Sequence, residues 1–368
     1  MSTRFKFFAK RFIPWLLLFF AAACLRPAEH RAKYDLSVGK AEGRGIYIDV
    51  ENGLAAVRAL SDGYLELWAQ APIVRIHIST KSDAATTWNI TMRNCMPGSG
   101  CTAKTSIGVI SVTPIASGSP TVSSWNMVFP LNEEINVEIM PPDAGAGPFK
   151  FALLSDIQGT DDRDMFAMMN ADPSIRFVVS AGDITEGGSS SEINKFQDTL
   201  GSLNVPFYAT VGNHDTGSGP GPWHDLIGRF NVHFFFKGVF FTLLDSGNAT
   251  VDPDVYGWLD WWLAEAVNST HVFVTHYPPF DPFGLRGGSF RSNAEAAKLL
   301  AKLARGYVDI TLYGHIHSYY AYVNAGIPAY IAGGGGGIQG IIDPFGRHFL
   351  VIEAAPDGIH SVSLVRAD

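Results

Sequence analysis

F-K-F-A-L-L-S-D-I-Q, residues 149–158, decides how this chain is read. Its first six residues are a nearly continuous apolar run, the pattern of a strand buried on both faces. The run ends in polar side chains, with Asp156 and Gln158 two positions apart. The arrangement recurs further along. I-R-F-V-V-S precedes A-G-D at 181–183, H-V-F-V-T ends at Thr275 before His276-Tyr277-Pro278, and V-D-I-T-L-Y precedes G-H-I-H at 314–317. A fifth block, G-N-H-D at 212–215, follows V-P-F-Y-A-T-V. Each polar block therefore lies at the C-terminal end of a predicted strand, which is where α/β sheets place their ligands.

The residue types in these blocks point to metal chemistry. Asp156, Gln158, Asp183, Asn213, His276, His315 and His317 offer carboxylate, amide and imidazole donors. Such donors suit Mn, Fe, Zn or Mg rather than a thiolate-bound ion. A carboxylate such as Asp183 can bridge two cations. Two cations roughly 3.5–4 Å apart can clamp a phosphoryl group and generate hydroxide near neutral pH. His214, between Asn213 and Asp215, is then free to handle a proton.

The five blocks, in this order, resemble the calcineurin-like metallophosphoesterase superfamily from about Phe149 to the C-terminus. The resemblance implies two packed sheets flanked by helices. It also implies Asp156 and His317 on a first metal, Asn213, His276 and His315 on a second, and Asp183 as the bridge. His214 would contact the scissile phosphate or protonate the leaving oxygen, with Asp215 orienting it. The expected cofactors are two divalent ions, Mn foremost, with Fe, Zn or Mg as alternatives. One departure is visible. The family's first block usually reads D-x-H, and here Gln158 replaces the histidine. A neutral amide makes that subsite harder and favours Mn or Mg over Zn. Members resembling manganese-dependent ADP-ribose/CDP-alcohol pyrophosphatases carry D-x-Q, which hints at phosphodiester or pyrophosphate substrates, while phosphomonoesters stay open.

The N-terminus carries a second signal. Arg4, Lys6, Lys10 and Arg11 precede the apolar stretch F-I-P-W-L-L-L-F-F-A-A-A, which is too short to span a bilayer and suits a secretory signal. Ala21-Ala22-Ala23-Cys24 resembles a bacterial lipobox, so cleavage before Cys24 and lipid attachment to its thiol are expected. The reading is of an exported bacterial envelope lipoprotein, membrane-bound through Cys24 and facing the periplasm or the exterior. Ordinary signal-peptidase cleavage nearby is the alternative. Cys95 and Cys101 flank the turn-prone M-P-G-S-G, and export makes them a candidate disulfide. Removing residues 1–23, with four basic and no acidic side chains, takes the net charge from −8 to about −12. That argues against a nucleic-acid-binding module, since phosphate backbones attract positive charge. A phosphate-ester substrate stays compatible, because bound cations dominate the local field.

The predicted organisation is a signal peptide at 1–23, a lipidated tether at 24–44, an all-β sandwich at 45–147 and the α/β phosphoesterase domain at 148–368. Short alternating runs such as I-V-R-I-H-I-S-T and I-N-V-E-I-M support an immunoglobulin- or fibronectin-like sandwich. Helices are expected over 190–203, 254–267 and 293–305. The five glycines at 333–337 lack the Lys-Ser/Thr of a P-loop and read as a turn with close backbone approach. Arg286 and Arg291, in the loop after His276, are candidate substrate-binding residues. The competing functional class is a non-catalytic envelope lipoprotein whose second domain, with Gln158 as the degenerate feature, serves as a binding scaffold.

Overall fold

The computed structural model describes residues 28–84, 86–284, 288–338 and 343–367. The signal segment, Cys24 and Arg286 lie outside them. Among the described residues no helix is long and apolar enough to cross a membrane.

The described residues form four sheets. The first has the order β1 (Lys40–Gly43), β2 (Ile46–Val50), β5 (Val74–Thr80), β11 (Glu134–Met140), β7 (Gly100–Lys104) and β8 (Val109–Ile110). The second runs β3 (Ala55–Ser61), β4 (Tyr64–Ala69), β6 (Thr87–Arg93), β10 (Val122–Val128) and β9 (Val112–Ile115). Period-two alternation turns Val74, Ile76 and Ile78 inward while Arg75 and His77 face outward. Ile48, Ile76 and Val137 of the first sheet share one core with Leu67, Trp88, Ile90 and Trp125 of the second. This is a sandwich, but β4 and β6 pair in parallel, a departure from the wholly antiparallel immunoglobulin pattern.

The third sheet runs β14 (Phe207–Ala209), β13 (Ile175–Ser180), β12 (Phe149–Leu153), β21 (His348–Ala355) and β22 (Gly358–Arg366). The fourth runs β15 (Val232–Phe236), β16 (Val239–Leu244), β17 (Thr270–Thr275), β18 (Ile310–Tyr313), β20 (Ile327–Ala332) and β19 (Tyr319–Asn324). Phe151, Leu153, Phe177 and Val179 pack across the gap against Phe234, Phe241, Val272 and Leu312. The alternate residues Ala152, Leu154 and Val178 face Met165, Phe166, Ile193 and Phe196 of the helices Arg163–Asn170 (α2) and Ser190–Leu200 (α3). Leu244 and Phe273 face α5 (Val255–Ala266) and α6 (Asn293–Arg305), and the short α4 spans Gly221–Leu226. Burial on both faces is why the motif-bearing strands read as continuous apolar runs. Ser189 and Glu192 close a capping box at the start of α3, and Ser292 caps α6.

Two expectations are corrected here. Cys95 and Cys101 are free thiols and form no disulfide. Cys95 follows β6 of the second sheet, and its Sγ faces Thr121 O and Ser123 Oγ at 3.5 Å, whereas Cys101 lies on β7 of the first sheet. Part of the expected tether is instead a docked helix, α1 (Ala28–Asp35). Arg31 and Asp35 are buried within the α/β half, where each finds a polar partner.

The sandwich is joined to the α/β half by directed bonds. Asn94 Nδ2 donates to Ala69 O and Phe207 O, and Phe207 N returns a bond to Asn94 Oδ1. Gln70 and the backbone of Arg229 bond reciprocally, at 2.9 and 2.7 Å.

Candidate metal centre

The parallel strands deliver their polar blocks to one edge. Leu244, Thr275 and Tyr313 are in register across β16, β17 and β18, so Asp245, His276 and Gly314 begin adjacent loops. Leu153 pairs with Val179, and Ser180 with Ala209, which aligns the loops carrying Asp156, Asp183 and Asn213 in the facing sheet.

All seven residues expected as ligands are brought together in two linked groups. In one, donor atoms of Asp183, His276 and His315 lie within 4.8 Å of one another. Asn213 Oδ1 sits 3.0 Å from His276 Nε2 and 3.1 Å from His315 Nδ1. His276 Nε2 is 3.3 Å from Asp183 Oδ2. In the other, His317 Nε2 is 3.5 Å from Asp156 Oδ1 and 3.4 Å from the Gln158 amide nitrogen. The His315 N–H donates to both Asp156 carboxylate oxygens at 3.0 Å, tying the two groups together.

Backbone strain concentrates at these positions. Asp156, Gln158, Asp183 and His315 have φ of 62°, 48°, 55° and 67°. Left-handed conformations are uncommon for residues with a Cβ and collect at functional sites. Glycines give the blocks room to meet. A Cβ on Gly182 would stand 2.2 Å from Gly212 N, and one on Gly212 would stand 2.0 Å from Asp183 Oδ1. The run at 333–337 is the close backbone approach expected of it. Gly335 N donates to Ser155 O and Gly337 N to Asp156 O, and a Cβ on Gly337 would lie 2.5 Å from His317 Cε1.

The electrostatics suit a bound cation. Burial works against the charged form of Asp183, but His276 and the N–H of His214 hold its pKa below the ordinary value. His276 is buried, which disfavours its cation, yet Asp183 outweighs this and lifts its pKa to about 9. His315 is pushed down to about 3 by burial and by His276. Closely packed carboxylate, amide and imidazole donors match hard-to-borderline divalent ions, and the Asp183 charge that favours a proton on His276 would equally favour a metal cation in the proton's place. The donor set fits the expected metals.

His214 is partly exposed at the edge of this cluster, and its orienting partner is not the expected one. Its Nδ1 donates to Glu186 O at 2.8 Å, which leaves Nε2 as the free ring nitrogen. Asp215 does another job. It is buried and accepts bonds from the N–H groups of Asp183, Thr185 and Gly212 and from Thr185 Oγ1. Burial and the nearby Asp183 raise its pKa to about 6. Asp215 thus braces the loop that presents Asp183. The role of Glu186 runs through a backbone carbonyl, which side-chain identity does not encode. Arg291 is exposed, with its backbone N–H bonded to Ala249 O, and its charge acts on the Tyr277 phenol. Sequence reasoning missed Tyr277, whose ring lies 3.7 Å from that of His315 at 34°. Its position directly after His276 was the available signal.

Residues 149–319 match the model of the calcineurin-like phosphoesterase family. A 46-residue stretch is 44% identical to a probable glycerophosphodiester phosphodiesterase of Arcobacter nitrofigilis, covering 12% of this chain and 17% of that relative. A dimetal phosphatase from Danio rerio aligns with 60% of this chain and 99% of its own, with TM-score 0.43 and 14% identity. The structure of PhoD aligns with 81% of this chain and 88% of its own, with TM-score 0.45 and 11% identity.

Proposed function

From residues 149–319, which form a calcineurin-like phosphoesterase domain, we propose a metal-dependent hydrolase of phosphate esters, exported and anchored to the membrane at Cys24. The observation that carries the catalytic part is the convergence of Asp183, His276 and His315 within 4.8 Å, with Asn213 Oδ1 facing both imidazoles. Asp156, Gln158 and His317 would hold one divalent cation and Asn213, His276 and His315 the other, with Asp183 shared. When bound, such cations activate water and neutralise charge on the phosphoryl group.

The chain's own residues do the rest. Asp215 and Thr185 fix the Asp183 loop, so the carboxylate is presented without reorganisation. His214 Nδ1 is committed to Glu186 O, which leaves Nε2 to pass a proton to the departing ester oxygen. Tyr277 packs on His315 and limits its ring rotation. Phosphodiesters are the favoured substrate class, supported by the short stretch shared with a probable glycerophosphodiester phosphodiesterase and by the D-x-Q block.

The test is chelation followed by restoration with Mn, Mg, Zn or Fe singly. A monoester, a bis-ester and a nucleotide pyrophosphate are assayed in parallel. Turnover restored by metal, and lost in Asp183→Asn and His214→Ala, is expected. A folded protein that binds fewer than two ions and turns over none of the three favours the scaffold reading.

A further inference from the structure

The docked helix α1 lies along the same edge of the molecule as the metal-centre residues. Arg31 pairs with Asp245, the residue after β16, while Asp35 accepts from the N–H groups of Phe230 and Asn231 and from Asn231 Nδ2, just before β15. The register of Leu244 with Thr275 places Asp245 one strand, about 5 Å, from His276. Arg31 is 3% exposed and Asp35 1%, so this anchorage does not come free without stranding buried charge.

Cys24 precedes Ala28 by four residues. Whatever its conformation, that span is at most about 14 Å, and the helical step to Arg31 adds about 5 Å. A folded chain of this length is about 50 Å across. An acyl chain on Cys24 therefore holds the metal end of the molecule, rather than the opposite end, close to a bilayer.

The rim of the site supplies an independent observation. Phe280, Phe283 and Ile338 are 37%, 53% and 87% exposed. Ile338 O accepts from His317 Nδ1 at 2.7 Å. The Phe283 ring lies 5.6 Å from that of Tyr320, and Tyr322 Oη donates to Phe280 O. Phe280 and Phe283 thus lie in the loop that follows His276, and Ile338 lies against His317. Single exposed apolar groups are ordinary on a protein surface, whereas several on the segments that flank one site favour a contact with apolar material.

We propose that the metal end of this protein works against a bilayer surface and that its substrate is the phosphoester of a membrane lipid headgroup. The proposal rests on the phosphoesterase reading and on the anchor at Cys24. In the reaction, water adds to phosphorus, the bond to the leaving ester oxygen breaks, and that oxygen takes a proton. No co-reactant other than water is needed.

The test uses the full chain, lipid-modified and reconstituted in phosphatidylcholine vesicles containing phosphatidylglycerol or phosphatidic acid, with bis(p-nitrophenyl) phosphate as a soluble control. One variant carries a Gly/Ser insertion of about 30 residues between Leu25 and Arg26, which adds roughly 30 Å of flexible reach. A second is Phe283→Asp. The expected result is lipid hydrolysis that falls at least tenfold relative to soluble-ester turnover in both variants. Soluble-ester turnover without lipid hydrolysis, or lipid hydrolysis indifferent to both changes, overturns the proposal. An acyl-free Cys24 in the exported protein also overturns it. Failure to hydrolyse the soluble ester with any metal instead overturns the phosphoesterase reading, and this proposal with it.

Discussion

Arg31 Nε and Nη2 donate to the two carboxylate oxygens of Asp245 at 2.6 and 2.9 Å, a fork-on-fork pair linking the N-terminal helix to the strand end beside His276. Asp245 Oδ1 also accepts from Gly247 N, and the adjacent Ser246 Oγ accepts from Tyr277 N. The pair therefore supports the turn that borders His276 and the donor group to which it belongs. Arg31→Met leaves a buried carboxylate without its partner, and a loss of about 3–5 kcal/mol is expected. Arg31→Lys recovers little, because an ammonium does not reproduce the bidentate geometry. Denaturant midpoints of the two variants and of Asp245→Asn check this. A midpoint for Arg31→Met within error of the parent's would show the pair to be energetically idle.

Asp215 should act on metal affinity without touching a metal. Its oxygens hold the N–H groups of Asp183, Thr185 and Gly212. Asp215→Ala strands these donors in the interior, and a cost of about 1–3 kcal/mol per unsatisfied group is the usual scale. The expected result is weaker ion binding by at least tenfold in calorimetry, as for outer-shell partners generally. The His214 ring should keep its orientation, since Glu186 O holds it.

Gly337→Ala separates the two donor groups. The added methyl would meet His317 Cε1 at 2.5 Å and Gln158 Oε1 at 2.9 Å, and its three nearest atoms all belong to the Asp156–Gln158–His317 group. Loss of one bound ion of two, with the fold and the second ion retained, is the expected outcome. Metal analysis after dialysis against a weak chelator gives the stoichiometry directly.

Asp162, which is not one of the donors, supplies a pH dependence of its own. Burial raises its pKa to about 7, against the opposing hydrogen bond and charge of Arg347. Its Oδ2 is buried without a hydrogen-bond partner, as suits a protonated carboxyl. A raised pKa means that the folded state binds the proton more tightly than the unfolded chain does. Its stabilising contribution is then complete below the ordinary carboxyl value of 3.8 and is lost as pH rises toward about 7. Denaturant midpoints should therefore decline between about pH 4 and 7, and Asp162→Asn should flatten that decline. An unchanged slope in the variant would remove Asp162 as its source.

The sequence by itself determined the α/β architecture and the membership of the donor cluster. Strands buried on both faces have no choice but continuous apolar runs, and the residues that follow them must lie at one edge of a parallel sheet. That is why Asp156, Asp183, Asn213, His276, His315 and His317 could be named from their positions alone. What tertiary structure decided was which atoms meet. Asp215 braces Asp183 rather than His214 because the Gly182 and Gly212 backbones touch, a contact between chain segments some 30 residues apart. The orienting group of His214 is a carbonyl, and every residue has one. Cys95 and Cys101 are near neighbours in sequence, but strand pairing assigns their segments to different sheets. Arg31 and Asp35 read as tether residues because charge ordinarily marks solvent. They are buried because Asp245 and the Phe230–Asn231 turn, roughly 200 positions away, supply partners that local sequence cannot reveal.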